Sequence, residues 1–583
     1  MSYNPQNPFI VQSDKTVLLE VANSLYEEAR DLLARFAELE KSPEHIHTYR
    51  ITPLSLWNAA ASGMKAEDMI TALEKYGKFE LPQNISQDIL DYVERYGKIK
   101  LIKEDEELFL YSDDFYLIEE IWNNKGIRSF VGERVSKNSI KVPQYQRGHV
   151  KQALIKMGFP VEDLAGYVPG ARFEFAMRDV TGLGLPFSLR DYQKEAVETF
   201  YAGGSFKGGS GVIVLPCGAG KTIVGLGVME KLQCETLILS TNITAVRQWI
   251  DEICDKSFIP RDAVGEYTGE LKEVKPITVT TYQILTYRKS KEGNFPHFAL
   301  FNSKDWGLII YDEVHLLPAE VFRITAEIQA RRRLGLTATL VREDGREEDV
   351  FSLIGPKRFD IPWKELERKD WIATAECNEI RVDLPEDLRM EYAMAELRDK
   401  YRIAAENRLK FDVINALVER HKDDQVLVIG QYINQLEKIS ELLGAPLITG
   451  KVPNREREKL YKEFRSGDIK VLVVSKVANF AVDLPDANVA IEISGSFGSR
   501  QEEAQRLGRI LRPKKGENIA YFYAVVTRDT RDQEFAANRQ LFLTEQGYKY
   551  HISDYKDVLG DFNSQEVASV GRESKVPWLR VVK

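Results

Sequence analysis

A chain of 583 residues is too long for one hydrophobic core, so three or four domains are expected. With 43% hydrophobic and 29% charged residues it reads as an ordinary globular protein, and no apolar run approaches the length of a bilayer. A net charge of −9 argues against a passive, charge-driven nucleic-acid coat, but not against a motor that grips a strand in a locally lined cleft.

Taken in chain order, Met1-Ser2-Tyr3-Asn4-Pro5 lacks the basic and then apolar layout of a secretory signal, so a cytoplasmic protein without a membrane partner is expected. Residues 1–110 read as helices followed by a hairpin. Thr52-Pro53 offers a capping hydroxyl and a proline at the first helical position. Gly63 separates that helix from one over Ala66–Tyr76, and a third pattern through Ile89, Leu90, Tyr92 and Val93 stops at Gly97. Strands follow at Ile99–Ile102 and Leu108–Tyr111. Three helices and a hairpin suit a winged-helix-like module, and equally a helical cap that only packs on what comes next. Residues 111–185 form a second small unit, with a helix at His149–Met157 and a strand at Arg172–Met177.

From Leu189 onwards, short β-branched runs alternate with helical patterns: Val212–Leu215, Thr236–Ser240, Ile277–Thr280, Leu308–Tyr311 and Leu334–Leu336. A second series comprises Gln425–Ile429, Val471–Ser475, Val489–Ile493 and Ala520–Val526. Such alternation means parallel sheets covered on both faces. The fold class is therefore α/β, with two tandem doubly wound domains at 186–362 and 363–552, small α+β domains before them, and a tail at 553–583. Cys217, Cys234, Cys254 and Cys377 are scattered, so neither zinc nor an iron–sulfur cluster is expected.

The first domain carries the chemistry. Its opening strand runs into Leu215-Pro216-Cys217-Gly218-Ala219-Gly220-Lys221-Thr222 and then a helix. Glycines let backbone N–H groups close on phosphates, and a helix N-terminus adds positive potential. Lys221 is assigned to the β- and γ-phosphates of ATP and Thr222 to Mg²⁺. The strict pattern asks for glycine where Leu215 stands, so the loop alone is ambiguous. The second element resolves it: Leu308–Tyr311 delivers Asp312-Glu313-Val314-His315 at its carboxyl end. Asp312 can complete the magnesium shell, Glu313 can polarise the attacking water, and His315 beside them becomes a candidate relay toward the nucleic-acid side, a solvated turn being the ordinary alternative.

Hydrolysis also needs positive charge at the transferred phosphoryl group. The second α/β domain offers Gln505-Arg506-Leu507-Gly508-Arg509-Ile510-Leu511-Arg512, in which Arg509 and Arg512 share a helix face. An exposed basic helix is the ordinary alternative. If these arginines complete the site, hydrolysis requires the two domains to close, and closure is the motor stroke. Arg331-Arg332-Arg333 reads as a solvated basic patch.

In this order the elements resemble motifs I, II and VI of superfamily 2 helicases, whose two domains are RecA-like. Thr337-Ala338-Thr339 resembles the coupling motif III. Arg190 and Gln193, in Leu189-Arg190-Asp191-Tyr192-Gln193, stand where that family reads adenine. Thr241 and Arg247, within Ser240-Thr241-Asn242 and Arg247-Gln248-Trp249, resemble the strand-contacting motif Ia. Thr281, in Thr280-Thr281-Tyr282-Gln283, resembles the next such motif. The valine in Asp312-Glu313-Val314-His315, the triplet Arg342-Glu343-Asp344, the stretch Lys476–Val489 and the segment Gln540–Tyr548 narrow the resemblance to the XPB helicases, in their prokaryotic form. The resemblance implies ATP- and Mg²⁺-dependent 3′→5′ movement on single-stranded or forked DNA, in repair or transcription. It also implies a damage-recognition-like role for 111–185 and strand contact by Arg342, Glu343 and Asp344. A partner nuclease or repair or transcription protein would be a separate chain. Asn479-Phe480 departs from the glycine-containing stretch of motif V, and Leu388–His421 is short and helical where the family carries a thumb-like insertion. A duplex translocase that leaves strands paired and a nucleotide-gated DNA-binding scaffold are the competing readings.

Overall fold

The computed structural model describes residues 3–42, 45–205, 208–216, 218–288, 295–329, 331–338, 347–475, 487–495, 506–508, 510–511 and 518–560. It divides into two compact units: the first runs to Ile372 and includes Leu541–Gly547, and the second takes up most of the rest from Ala373. Among the described residues no helix is long and apolar enough to cross a membrane.

The first unit begins with β1 (Phe9–Val11), β2 (Thr16–Glu20), α1 (Tyr26–Leu33), β3 (Glu38–Lys41) and β4 (Ile46–Arg50), an antiparallel sheet in the order β1-β2-β4-β3 that the sequence reading missed. Its strands are short, and polar residues interrupt the alternation, as in Glu38-Leu39-Glu40-Lys41. Then come α2 (Pro53–Ala61), α3 (Ala66–Tyr76) and α4 (Gln83–Arg95). Thr52 caps α2 as expected, its hydroxyl accepting from the Ser55 N–H at 3.1 Å.

The expected hairpin exists as β5 (Ile99–Glu104) and β6 (Glu107–Tyr111), but it belongs to the next domain. With α5 (Phe115–Asn123), β7 (Ser139–Val142), α6 (Arg147–Lys156) and β8 (Val161–Asp163) it builds a sheet in the order β7-β6-β5-β8. A boundary at 110 would cut that sheet, and the helices before Gly97 pack on β1–β4 rather than forming a winged helix. Arg172–Met177 is not a strand either; it makes only isolated bridges, Arg172 to Cys234 and Met177 to Ser257.

The second small domain docks on the following lobe through buried polar groups. Lys151 Nζ donates to Gln329 Oε1 at 2.8 Å, and the Gln152 amide donates to Asp349 at 2.7 Å. Asp163 pairs with Arg147 at 2.6 Å and with Lys151 at 3.1 Å. Arg333 completes this cluster and corrects the reading of Arg331–Arg333 as a solvated patch. Its side chain is fully buried, donating to the Leu353 carbonyl at 2.7 Å and the Gln329 carbonyl at 2.6 Å. Arg333, at the start of a buried strand, is held by main-chain oxygens.

The lobe itself consists of α7 (Asp191–Tyr201), β9 (Ser210–Val214), α8 (Lys221–Leu232), β10 (Thr236–Ser240), α9 (Ile243–Lys256), β11 (Val264–Tyr267), β12 (Ile277–Thr281), α10 (Tyr282–Leu285), β13 (Leu308–Asp312), α11 (Ala319–Glu327), β14 (Arg332–Thr337), α12 (Glu347–Leu353), β15 (Lys357–Asp360) and α13 (Trp363–Arg368). Its seven strands are all parallel, in the order β11-β12-β10-β13-β14-β9-β15. Leu308 to Tyr311 are fully buried, which is why that strand reads as an uninterrupted apolar run. The first unit runs on to Ile372, and Trp363 and Leu366 of α13 are buried.

The second unit holds another seven-stranded parallel sheet. Its elements are β16 (Thr374–Val382), α14 (Glu386–Met394), α15 (Leu397–Ala405), α16 (Leu409–Arg420), β17 (Val426–Gly430), α17 (Ile433–Leu443), β18 (Leu447–Ile448), α18 (Asn454–Ser466), β19 (Val471–Ser475), β20 (Val489–Glu492), β21 (Ile519–Thr527) and β22 (Tyr550–Asp554). The strand order is β18-β19-β17-β20-β21-β16-β22. The stretch expected to be helical, Leu388–His421, is occupied by α14, α15 and α16.

Candidate functional site

Several of the described residues singled out in the first lobe lie at the carboxyl ends of its strands, the edge where open parallel sheets bind ligands. The loop Leu215-Pro216 follows β9, Thr241 follows β10, Asp312 ends β13 and Thr337 ends β14. Because β14 lies between β13 and β9, Thr337 stands between the acidic pair and the phosphate loop, and its carbonyl accepts from the Leu215 N–H at 2.9 Å.

Gly220 opens α8 in the left-handed region, with φ 79° and ψ 46°. A Cβ there would come within 2.5 Å of Gln193 Nε2, so any other residue would meet torsional strain and have to displace that amide. Gln193 is nearly fully buried; its amide donates to the Ala219 carbonyl at 2.9 Å, and the Tyr192 hydroxyl donates to the same oxygen at 2.6 Å. Arg190 reaches the Trp371 carbonyl at 3.2 Å, and Trp371 lies 4.8 Å from the Tyr192 ring. Gln193, matched to adenine reading, thus braces the loop through the Ala219 carbonyl.

Lys221 Nζ donates to Glu313 Oε1 at 2.7 Å. Glu313 adopts φ 50° and ψ 54°, a left-handed conformation that costs a non-glycine residue about 1–3 kcal/mol and marks functional turns. His315 is buried, its Nδ1 2.7 Å from Thr337 Oγ1 and 3.5 Å from Glu313 Oε2. Glu313, His315 and Thr337 are thus contiguous in space. Ala338 beside it is buried.

Asp312 is held more tightly than the sequence suggested. Its Oδ2 accepts from the Ser240 hydroxyl and from the Trp249 indole N–H, both at 3.0 Å. Its main-chain carbonyl accepts from the Tyr282 hydroxyl at 2.8 Å. Burial, and next the neighbouring Glu313 carboxylate, push its pKa above the ordinary aspartate value, while Lys221 and the two donors oppose that rise. These three donors were missed as partners of Asp312. The available signal was an indole on the buried face of α9, with Val246, Ile250 and Ile253, since a buried N–H there requires an acceptor.

Of the strand-contacting candidates, Thr241 accepts from the Asn242 amide at 3.1 Å. Arg247 is half exposed and pairs with Glu270 at 2.6 Å and Glu266 at 3.5 Å. Thr281 is buried and its hydroxyl caps α10 by accepting from the Ile284 N–H at 3.2 Å, so it shapes that turn instead of presenting its side chain outward. Thr222 is half-buried at the start of α8. Cys217, Thr339, Arg342, Glu343, Asp344, Gln505, Arg509 and Arg512 lie outside the described residues, as does motif V through 486.

In the second unit, Arg506 is buried and bonded to Glu492, which also takes Arg539 Nη2 at 2.8 Å. The sequence reading passed over both arginines. A glutamate ending the apolar run Val489–Glu492 was the clue, because a carboxylate buried to 1% exposure needs cationic partners.

A phosphate-type loop and an acid pair on one parallel sheet, followed by a second sheet of the same kind, define a two-lobed RecA-like motor of superfamily 2. Residues 366–579 match a family profile described as the ERCC3/RAD25/XPB C-terminal helicase. Residues 186–342 match one described as the res subunit of type III restriction enzymes, and 9–136 one described as a helicase conserved C-terminal domain. The chain is 53% identical over 554 residues to the DNA 3′-5′ helicase XPB of Mycobacterium tuberculosis, covering 95% of this chain and 99% of that one. It is 51% identical to the protein of that name from Kineococcus radiotolerans, covering 95% and 97%. Against the Saccharomyces cerevisiae general transcription and DNA repair factor IIH helicase/translocase subunit XPB/SSL2, identity is 30%, covering 93% and 72%. The chain belongs to the XPB family of DNA 3′-5′ helicases.

Proposed function

We propose that this chain couples ATP hydrolysis to 3′→5′ movement along DNA and separates strands at a fork, in cytoplasmic DNA repair or transcription-linked processes. The observation that carries the reading is the Lys221–Glu313–His315–Thr337 series, at the edge where the phosphate loop and the acid pair converge. Lys221 and the backbone of 215–222 hold the triphosphate, with Arg190 and Gln193 on its base. Glu313 takes a proton from the attacking water, and His315 and Thr337 report the nucleotide state to the strand side. On the motif alone we add Gln505, Arg509 and Arg512 as the groups that meet the phosphoryl charge, and Arg342, Glu343 and Asp344 as strand contacts.

The donor set suits magnesium. Thr222 and Asp312 offer hard oxygens, a hydroxyl and a carboxylate. That combination fits an ion that arrives with phosphate oxygens. Held there by Thr222 and Asp312, Mg²⁺ would supply positive charge to the triphosphate.

The test is the ATPase rate with single-stranded DNA, duplex DNA and RNA at fixed salt, alongside strand-displacement and triplex-displacement assays. Stimulation by DNA with strand displacement is expected. Triplex displacement alone would favour a duplex translocase, a reading supported by the helicase/translocase name of the eukaryotic relatives. DNA binding without turnover would leave only a nucleotide-gated scaffold.

A further inference from the structure

Asp312 receives three donors, and two of them come from elements matched to strand-contacting motifs. The Trp249 indole reaches its carboxylate from α9, the helix that begins beside Thr241 and exposes Arg247. The Tyr282 hydroxyl reaches its carbonyl from the first residue of α10. Trp249 is 2% exposed, and its ring lies so close to α8 that a Cβ on Gly225 would stand 2.6 Å from it. One rigid side chain thus touches both the helix that follows the phosphate loop and the aspartate of the acid pair. The third donor, Ser240, is different. It ends β10, which is locked between β12 and β13.

An α-helix moves as a rigid body, so a pull on the exposed side of α9 is transmitted to its buried side, where Val246, Trp249, Ile250 and Ile253 pack. Arg247 is paired with Glu266 and Glu270, so a phosphate at this position must compete with those carboxylates for the guanidinium. We propose that Trp249 and Tyr282 are positioning residues that tie strand engagement at α9 and α10 directly to Asp312, and so link DNA binding to nucleotide turnover. The link is separate from the His315–Thr337 series and deepens the functional reading on which it rests.

The experiment uses the full chain carrying Trp249→Phe, Tyr282→Phe or Ser240→Ala, each with a single-stranded oligonucleotide and a fluorescent ATP analogue with Mg²⁺. Nucleotide affinity is measured with and without DNA, DNA affinity with and without nucleotide, and kcat and KM in both states. Coupling is reciprocal, so wild type should show the same factor in both binding directions. Trp249→Phe and Tyr282→Phe each keep the ring and lose the donor. They should retain nucleotide affinity in the absence of DNA while the coupling factor and DNA stimulation of kcat fall about tenfold, within the usual span of site-to-site coupling. Ser240→Ala should lower kcat alike with and without DNA, leaving the ratio intact. The proposal is overturned if both phenylalanine variants preserve the ratio, or if Ser240→Ala collapses it equally, which would mean that Asp312 is merely held in place. If Trp249→Phe does not fold, Tyr282→Phe decides. Wild type unstimulated by DNA would instead sink the motor reading, so the two failures are read from different proteins.

Discussion

Gly220→Ala tests the phosphate loop with a perturbation of one methyl group. Two independent costs follow from the geometry. An alanine at φ 79° and ψ 46° sits in the left-handed region, which costs an L-residue about 1–2 kcal/mol. Its Cβ would also lie 2.5 Å from Gln193 Nε2, displacing that amide from the Ala219 carbonyl, a hydrogen bond contributing about 1 kcal/mol. Together these give about 2–3 kcal/mol. If the loop relaxes out of its binding shape to avoid that cost, ATP affinity falls roughly 30- to 150-fold. Titration with a fluorescent ATP analogue reads this directly. The companion Gly220→Ala/Gln193→Ala protein removes the clash but not the torsional strain. A double-mutant cycle with Gln193→Ala should therefore show a coupling energy of about 1 kcal/mol. Wild-type affinity in Gly220→Ala, or strict additivity in the cycle, would refute this account of the loop.

Lys221→Ala and Glu313→Gln should abolish DNA-stimulated ATPase activity while leaving circular dichroism unchanged; for Glu313→Gln the loss in kcat is on the order of 10²–10⁴. Turnover close to wild type in either would defeat the site assignment. Arg509→Ala and Arg512→Ala should bind ATP normally and lose hydrolysis by roughly 10³–10⁵, whereas loss of binding alone would reject their role at the phosphoryl group. Asp163→Asn removes the anion shared by Arg147 and Lys151 beside buried Arg333 and should destabilise the first unit by about 3–5 kcal/mol. Hydrogen exchange over Arg147–Lys156 checks this, and unchanged protection would refute it. In the same cluster, burial and then nearby arginines outweigh Asp163 and bring the Lys151 ammonium down to about 8 from its ordinary 10.5. Between those values the unfolded chain binds the extra proton, so the contribution of Lys151 to stability rises as pH increases from about 8 toward 10.5. In Lys151→Met that rise should vanish from the unfolding midpoint measured against pH.

The parallel strands were legible because a strand covered on both faces must be apolar at every position, and that shows in a run such as Leu308–Tyr311 without any knowledge of its neighbours. The antiparallel strands of the first domain were not legible, because a half-buried strand needs only alternation, and stretches such as Glu38–Lys41 barely show it. Arg333 misled for a related reason. Charge in a sequence suggests water, whereas the buried carbonyls of Leu353 and Gln329 serve a guanidinium as well.

By itself, the sequence determined which chemical groups exist and what each local segment becomes: Gly220-Lys221-Thr222 at a strand-to-helix turn, Asp312 and Glu313 at a strand end. These depend on neighbours within a few residues. Only the tertiary structure decided which strand lies beside which, and hence that Thr337 stands between β9 and β13 and that Trp249 and Tyr282 converge on Asp312. Periodicity encodes that a face is buried, but not against what. The partner is selected by packing and hydrogen-bond satisfaction across the whole sheet.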